Sequence, residues 1–353
     1  MVRRKGSQMI TIKQMAELAG VSPTTVSNVL HGRYNKISKD KLNRVQQVIE
    51  QSNYVSNMGG RLLGNYGSKI IAVIMAYHTN EDQFPLDDPF AGAIVGAIEQ
   101  EITENGYFLM LYHNEDVDEC TNMARAWNVE GIILLGFTAG QYVNFKSKVE
   151  VPVVAIDTSF HGIKSKFINI GLQDYEGGRD LTKYLLQCGH QKISFLSLDL
   201  QENYIDMQRG LGMCDALKQA GLPADSSCFV PLDVDSRKRH AFLSAFATDG
   251  FRGSTVLFFS SDHLAIEAMN LFLDMGLQIP KDISIAGFDD IHFASQCRPK
   301  LTTVRQNIAE KGREAVHALI EVIVTKEFRQ KNISLPTEVV VRDSVAVINP
   351  LDL

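Results

Sequence analysis

The chain has 353 residues, of which 45% are hydrophobic and 8% aromatic. This is enough apolar material for more than one buried core, so two or three domains are expected. No stretch approaches the roughly 20 consecutive apolar residues of a membrane-spanning helix, and the first residues lack the apolar segment of a signal peptide. The five cysteines are never spaced as C-x-x-C, which excludes the common zinc and redox motifs. We therefore expect a cytoplasmic protein with no metal site and no membrane partner.

Charge is distributed unevenly along the chain, although the net charge is only −6. Residues 1–69 contain eleven lysines and arginines against three acidic residues, a net charge of +8, whereas the rest of the chain carries −14. A basic N-terminal segment on an acidic remainder is expected when only the first part contacts phosphate. Basic residues that merely solvate a small helical domain would show the same excess, so charge alone leaves both interpretations open.

The first helices can be placed from their capping residues. Thr11 and Gln14 form a capping-box pattern at the start of the first helix, which Gly20 is expected to end. Ser22 is the predicted N-cap of the second helix, with Pro23 at its first position, where the missing N–H costs nothing. Two helices joined by a turn of about three residues make a helix-turn-helix motif.

The second helix is predicted to present a polar face to the DNA major groove. Val26 and Val29 fall on one side of this helix and should pack inward. The opposite side carries four short hydrogen-bonding side chains, which are Thr24, Thr25, Ser27 and Asn28. A thin polar surface of this kind can enter a groove about 12 Å wide and reach the base edges. A polar helix face is also common on solvated helices, so the face alone is weak evidence.

Residues 11–32 resemble the DNA-binding head of the lactose-repressor/galactose-repressor family. The segment reads TIKQMAELAGVSPTTVSNVLHG, and the family pattern is roughly T-I-x-D-V-A-x-x-A-G-V-S-x-x-T-V-S-R-V-L-N-G. The sequence NYVSN at 53–57 is similar to the family's N-Y-x-P-N. The resemblance implies that double-stranded operator DNA is contacted by Thr11, Ser22, Pro23, Thr24, Thr25, Ser27, Asn28, His31, Arg33, Asn57, Arg61 and Leu63.

Three positions depart from the family pattern. Asn28 replaces the usual arginine, His31 the usual asparagine and Ser56 the usual proline. These differences leave the operator sequence open, although they do not argue against DNA binding. An asparagine at position 28 would suit a bidentate contact to adenine.

Residues 57–68 contain four glycines, so a helix in this segment would be unstable by itself. A flexible linker is one interpretation. The resemblance implies a hinge helix that folds on operator DNA and wedges Leu63 into the minor groove, as other minor-groove proteins do with apolar side chains. Gly60 stands where the family favours alanine, which should make the order of this helix more dependent on DNA.

From Lys69 onward, unbroken apolar runs alternate with amphipathic patterns, which predicts parallel sheets covered by helices on both faces. The predicted strands are Ile70–Met75, Phe108–Tyr112, Gly131–Leu135, Val153–Ile156, Ile193–Leu198, Thr255–Phe259 and Ile283–Gly287. The predicted helices lie near Phe90–Glu104, Glu119–Trp127, Tyr175–Cys188, Met207–Gln219, Arg237–Ala247, His263–Asp274 and Glu310–Val324. This part of the chain is long enough for two α/β lobes.

Short motifs extend the family resemblance through the rest of the chain. They are Asp88-Pro89-Phe90, Gly189-His190, Gly287-Phe288-Asp289-Asp290, Leu301-Thr302-Thr303-Val304 and Arg342-Asp343-Ser344. The resemblance implies a periplasmic-binding-protein-like body of two doubly wound parallel-sheet lobes, between which the chain crosses near residues 168, 298 and 328. The expected domains are a head at 1–56, a hinge at 57–68 and a body at 69–353. Within the body, the first lobe should comprise 69–167 and 298–327, and the second 168–297 and 328–353.

Open α/β sheets bind ligands at the carboxyl ends of their strands. Arg209 matches the family's sugar-contacting arginine in R-x-x-G. Carboxylates can accept hydrogen bonds from sugar hydroxyls, and the arginine guanidinium can donate to them. The residues predicted to contact an effector are Asp88, Phe90, Asp157, Arg209, Ser261, Asp262 and Asp289. For each of them, a surface or lobe-stabilising role is the alternative.

No enzyme motif appears in the sequence, since G-x-G-x-x-G after a strand, G-x-x-x-x-G-K-[ST], G-x-S-x-G and H-E-x-x-H are all missing. An extracytoplasmic sugar-binding protein would share the body but not the basic head. A regulator that responds to a protein or a nucleotide remains open. We expect a homodimeric repressor of carbohydrate use that binds a pseudopalindromic operator and needs no cofactor beyond a sugar or sugar-phosphate effector.

Overall fold

The structure is a computed structural model that describes residues 10–30, 33–52, 67–76, 84–198 and 204–348. The chain forms two compact units, residues 1–68 and 69–353. Within the described residues, no helix is long and apolar enough to cross a membrane.

The first unit is a small helical domain. Its helices are α1 Ile12–Ala19, α2 Pro23–Leu30 and α3 Lys39–Ser52. The predicted capping box is present, with the Gln14 N–H donating to Thr11 Oγ1 over 3.2 Å and the Thr11 N–H donating to Gln14 Oε1 over 2.9 Å. Gly20 ends α1 in the left-handed conformation, at φ 62°. Met15, Val26 and Val45, one from each helix, lie buried in the core.

The first lobe of the body is built on a six-stranded parallel sheet with helices on both faces. Its strands are β1 Ile70–Met75, β2 Phe108–His113, β3 Gly131–Leu135, β4 Val153–Ile156, β5 Ile168–Leu172 and β11 Lys331–Leu335, in the order β11-β5-β4-β3-β1-β2. Its helices are α4 Pro89–Glu104, α5 Val117–Ala126, α6 Ala139–Lys148 and α11 Ile308–Thr325. Apolar side chains of α4 and α11 pack on one face of the sheet, and those of α5 and α6 on the other.

The second lobe repeats this design on a four-stranded parallel sheet. Its strands are β6 Ile193–Leu198, β7 Phe229–Leu232, β8 Val256–Phe259 and β9 Ser284–Ala286, in the order β7-β6-β8-β9. Its helices are α7 Asp174–Gln187, α8 Tyr204–Gln219, α9 Ser236–Thr248 and α10 Asp262–Asp274. A two-stranded antiparallel ribbon of β10 Thr303–Gln306 and β12 Thr337–Val340 packs with this lobe.

The chain passes between the lobes after β5, after β10 and after β11, so the crossings expected near 168, 298 and 328 are displaced. Strand β5 belongs to the first sheet, where Ile170 pairs with Ile156 and Ile333. Leu301 and Val304 are buried in the second lobe. The first lobe therefore comprises 69–172 and 307–335. The local apolar pattern could not show these limits, because pairing between segments far apart in the chain determines which sheet a strand joins.

Helices α7 and α8 approach each other closely because glycine stands at their contact. A Cβ on Gly178 would lie 2.1 Å from the Arg209 carbonyl oxygen, and one on Gly212 would lie 2.0 Å from the Tyr175 carbonyl oxygen. Both distances are far inside van der Waals contact, so no larger residue fits without backbone movement. The backbone around Arg209 is consequently held tightly against α7.

We expect Gly212→Ala to lower the free energy of unfolding by about 1–3 kcal/mol or more, because the added methyl group forces the two helix backbones apart. Gly96→Ala in α4 is the matched control: a Cβ there meets nothing within 4 Å, so the gain in helix propensity should stabilise by about 0.5–1 kcal/mol. Urea unfolding followed by circular dichroism measures both. Equal midpoints for Gly212→Ala and wild type would contradict the close contact.

Candidate functional site

Arg209 lies in α8 and is buried among carboxylates. Its Nε donates to Asp174 Oδ1 over 2.9 Å, and its Nη1 donates to the Ser260 carbonyl oxygen over 2.5 Å. The same Nη1 lies 3.6 Å from Asp289 Oδ1 and 3.9 Å from Asp206 Oδ1. The guanidinium also stacks 3.8 Å from the centroid of the Phe288 ring. Three acidic side chains thus share one cation in a site from which water is largely excluded.

Asp289 follows β9 and adopts a left-handed backbone conformation, at φ 124°. Its Oδ1 accepts a 2.6 Å hydrogen bond from Gln306 Nε2. Burial raises the pKa of Asp289 well above its ordinary value, although the nearby Arg209 opposes the shift. Burial likewise raises the pKa of Asp174 against the opposing charge of Arg209. Arg209 thus offsets only part of the cost of charging these two buried carboxyl groups.

Asp157 follows β4 in the first lobe, at φ 54°. Its Oδ2 accepts from Lys311 Nζ over 2.7 Å, whereas its Oδ1 is buried and has no hydrogen-bond partner among the described residues. The Lys311 side chain is 0% exposed. Its Nζ also donates to Gln306 Oε1 over 2.7 Å and lies 5.2 Å from the centroid of the Phe90 ring. Gln306 consequently connects the carboxylate of the first lobe, through Lys311, to Asp289 of the second lobe.

Sequence reasoning missed Lys311 and Gln306. One signal for Lys311 was present: a lysine stands on the apolar stripe of the predicted helix 310–324, one turn before Ala315. A charged residue at a core-facing position needs a buried partner. Gln306 carried no comparable signal, because its role depends on two groups distant in sequence.

The other predicted effector contacts are placed as follows. Asp88 is exposed at the N-cap of α4, where its Oδ1 accepts from the Phe90 N–H over 2.8 Å. Phe90 is half-buried beside the first-lobe core. Ser261 is the N-cap of α10, and its hydroxyl oxygen accepts from the Leu264 N–H over 3.4 Å. Their contact with an effector stays a prediction.

Asp262 serves the packing of the second lobe, contrary to its predicted role as an effector contact. It is fully buried, its Oδ1 accepts from Thr303 Oγ1 over 2.5 Å, and its Oδ2 accepts from the Ile291 N–H over 3.0 Å. A Cβ on Gly287 would lie 2.2 Å from Asp262 Oδ1, which explains the glycine of the G-F-D-D motif. Both oxygens are occupied within the lobe, so neither is available to a ligand.

A cavity of about 510 Å³ opens beside this network, at the carboxyl ends of β4, β5 and β11. Its volume is in the range of small-molecule sites. Its polar lining includes Asp157, Asn169, Asp174, Glu176, Gln208 and Asn332, and its aromatic lining includes Phe160, Tyr175 and Tyr204. Among the residues that the structure describes, no group of acidic, histidine and cysteine side chains could hold a metal ion.

In the N-terminal unit, α2 presents the polar face expected from its sequence. Thr24 is exposed, and Ser27 and Asn28 are half-buried. The Ser22 hydroxyl accepts from the Thr25 N–H over 3.2 Å and shares a 2.9 Å hydrogen bond with the Thr25 hydroxyl, so this pair also caps the helix. His31, Asn57, Arg61 and Leu63 lie outside the described residues, as does the hinge segment from 57 to 66.

Two family models match the chain. The model described as bacterial regulatory proteins, lacI family, matches residues 11–57, and the model of a periplasmic binding protein-like domain matches residues 182–345. The transcriptional repressor PurR of Haemophilus influenzae strain PittEE is 29% identical over 349 residues, which cover 96% of this chain and all of that protein. The regulator MalR of Clostridium butyricum is 27% identical, covering 95% of this chain and 99% of its own.

Solved structures share the fold over the same extent. The lac repressor dimer bound to operator and the anti-inducer ONPF has a TM-score of 0.78 at 22% identity, covering 96% of this chain and all of that one. A complex of the transcriptional regulator CelR with cellobiose has a TM-score of 0.70 at 22% identity, covering 95% and 99%.

The helix-turn-helix unit and the two-lobed body define a DNA-binding transcription regulator. The chain is thus assigned a lacI-family DNA-binding domain at residues 11–57 and a periplasmic binding protein-like domain at residues 182–345. This assignment confirms the resemblance seen in the N-terminal sequence, the predicted fold class and the expectation of a regulator rather than an enzyme.

We expect the stability of the body to depend on pH through Asp262. Burial raises the pKa of Asp262 to about 7 in the folded state, against roughly 3.9 in an unfolded chain. The folded state therefore keeps a proton that the unfolded state has lost, so this contribution is complete below about pH 4 and disappears as pH rises to 7. The stability of wild type relative to Asp262→Asn should fall across this window, by at most about 1.4 kcal/mol per pH unit.

Urea unfolding at a series of pH values measures this difference. Asp274→Asn, at the exposed end of the same helix, controls for the removal of one carboxylate from α10. A difference between wild type and Asp262→Asn that stays constant from pH 4 to 7 would show that Asp262 is charged in the folded protein throughout.

Proposed function

We propose that the chain represses carbohydrate-utilisation genes, and that a small molecule bound between the lobes controls its affinity for operator DNA. A polar network that joins the two lobes supports this proposal. In the second lobe, Arg209 lies beside Asp289, which accepts a hydrogen bond from Gln306. Gln306 in turn accepts from Lys311 of the first lobe, which is paired with Asp157. A protein that regulates bacterial genes in this way acts in the cytoplasm.

A sugar fits this network because sugar hydroxyls both donate and accept hydrogen bonds. Asp157 and Asp289 offer acceptors, Arg209 offers guanidinium donors, and the Phe90 ring could stack on a pyranose face. The cellobiose complex of CelR, which shares the fold, supports a sugar rather than a cofactor. Asp88 and Ser261 are further candidate contacts of the effector.

The three crossings between the lobes offer a means of control. A ligand shifts a conformational equilibrium only through contacts that differ between the two conformations. A sugar that touches Asp157 in one lobe and Arg209 or Asp289 in the other makes such contacts whenever the lobes change their relative position. We propose that this movement is transmitted to the DNA-binding heads through the hinge at 57–68, with Leu63 as its minor-groove wedge.

The regulator is proposed to act as a homodimer on a pseudopalindromic operator. One head offers only a few base-reading side chains, which is too few for selectivity in a genome. The body supports pairing, because β2 is an edge strand whose Phe108 and Leu111 are 56% and 40% exposed. An unpaired edge strand with exposed apolar side chains is a template for pairing with another chain.

We expect Asn28→Ala to lose discrimination at one symmetric base-pair position, by about 1–3 kcal/mol per half-site, because a bidentate base contact is removed. Lys41→Ala, at an exposed position of α3, should weaken operator and random DNA equally and lower the salt dependence. Operators selected from random DNA by the full chain, then titrated by fluorescence anisotropy at several salt concentrations, measure both effects.

Two outcomes would contradict the proposal. Selected sequences without two-fold symmetry, bound by single chains, would reject the dimer. Binding that is insensitive to salt would reject phosphate contact by the basic head, because counterion release makes such binding strongly salt-dependent.

A further inference from the structure

The charged groups of the candidate effector site are unequal in number. Among the described residues, the connected network holds two cations and four carboxyl groups, namely Arg209 and Lys311 against Asp157, Asp174, Asp206 and Asp289. An excess of acceptors at a ligand site favours ligands that donate hydrogen bonds.

Both cations are already neutralised by protein groups. Lys311 is 0% exposed, and its ammonium group is 2.7 Å from Asp157 Oδ2. Arg209 has a 7% exposed side chain and lies within 4 Å of three carboxyl groups. An anionic ligand would have to displace one of these carboxyl groups, leaving it buried without its cation, which is costly.

The cavity beside the network has the same character. Three acidic side chains, Asp157, Asp174 and Glu176, line it, and the described lining residues include one histidine, His161, but no lysine or arginine.

Asp157 supplies a free acceptor at this place. Lys311 holds one carboxylate oxygen, which fixes the orientation of the group, and the buried Oδ1 has no partner among the described residues. Asp157 is one of the residues that line the cavity, and its Oδ1 lies 4.0 Å from where a Cβ of the lining residue Gly171 would stand. A buried acceptor without a donor is costly, and a ligand hydroxyl or ammonium group would remove that cost.

We infer that the effector is a neutral or amino sugar that donates a hydroxyl or ammonium hydrogen to Asp157 Oδ1, and that the site rejects sugar acids and sugar phosphates. Lys311 is the positioning residue, because it orients Asp157 and contributes no unpaired positive charge to the site. This inference rests on the proposed function and narrows the ligand expected from the sequence, a sugar or a sugar phosphate, by excluding anionic sugars.

The test is calorimetric titration of the full chain with matched sets of probes. Each set contains a neutral sugar, its amino derivative, its uronic acid and its 6-phosphate, in the gluco and galacto series, with cellobiose and ribose added. The uronic acid and phosphate of any sugar that binds should be weaker by about 100-fold, because a second anion next to Asp157 is repelled. An acid or phosphate that binds as tightly as its neutral counterpart overturns the inference.

Asp157→Asn supplies the decisive variant, since its amide can present a donor where the carboxylate offered only an acceptor. We expect it to weaken the affinity for the neutral sugar about tenfold and to increase the affinity for the corresponding sugar acid.

Asp118→Asn is the matched control, because Asp118 forms a 2.6 Å pair with Lys148 but is 74% exposed. If Asp157→Asn does not fold, the double variant Asp157→Asn/Lys311→Met removes both charges and leaves no unpaired buried ion. A variant with wild-type preference between acid and neutral sugar would overturn the role of Asp157.

The outcomes separate the inference from the proposed function. If a sugar acid or sugar phosphate binds tightly and changes operator affinity, the restriction to neutral and amino sugars is rejected, whereas the proposed function stands. If none of the neutral, amino, acid or phosphate probes binds, the restriction to neutral and amino sugars and the sugar effector itself are both rejected. Operator binding by the head is unaffected by that result.

Discussion

The buried guanidinium of Arg209 constrains the second lobe. A charge removed from water must be paired and hydrogen-bonded, because leaving it unpaired costs several kcal/mol. Asp174 at the start of α7 and Asp289 after β9 must therefore converge on Arg209 in α8. Gly178 and Gly212 allow the two helices to come close enough for this. The close helix packing, the unusual backbone of Asp289 and the chemistry of the site thus meet at one buried cation.

The first lobe contains a corresponding pair, Lys311 with Asp157, and Gln306 joins the two. The Gln306 amide donates at one end to Asp289 and accepts at the other from Lys311, so both ends are used. Gln306 is the last residue of β10, where the chain passes from the second lobe to the first. A change in the relative position of the lobes must strain or break one of these hydrogen bonds unless a ligand replaces it. The hydrogen bonds of this network should therefore change when a ligand occupies the site.

Sequence reasoning succeeded where the determinants of structure are local. Capping at Thr11 and Ser22 and the continuous apolar runs of the predicted strands all correspond to elements of the structure. Strand β5 was missed because Asn169 and Gly171 interrupt its apolar run. Asn169 is buried, and it accepts a hydrogen bond from the Thr158 N–H and donates one to the Asn332 side chain of β11. The role of Asp262 could not be foreseen, since Thr303 and Ile291 are distant in sequence. Pairings of this kind depend on topology, which no local pattern contains.

In a regulator of this kind, occupancy of the cleft by a sugar and binding of the operator are coupled. Thermodynamic linkage requires the coupling to be reciprocal: a sugar that changes operator affinity by some factor must have its own affinity changed by the same factor when operator is bound. Calorimetric titration of the sugar into the free protein and into the protein–operator complex, beside operator titrations with and without the sugar, measures both factors. We predict equal factors of about 5–150. A sugar that binds the body but leaves operator affinity unchanged would show that the cleft and the DNA-binding head are not coupled.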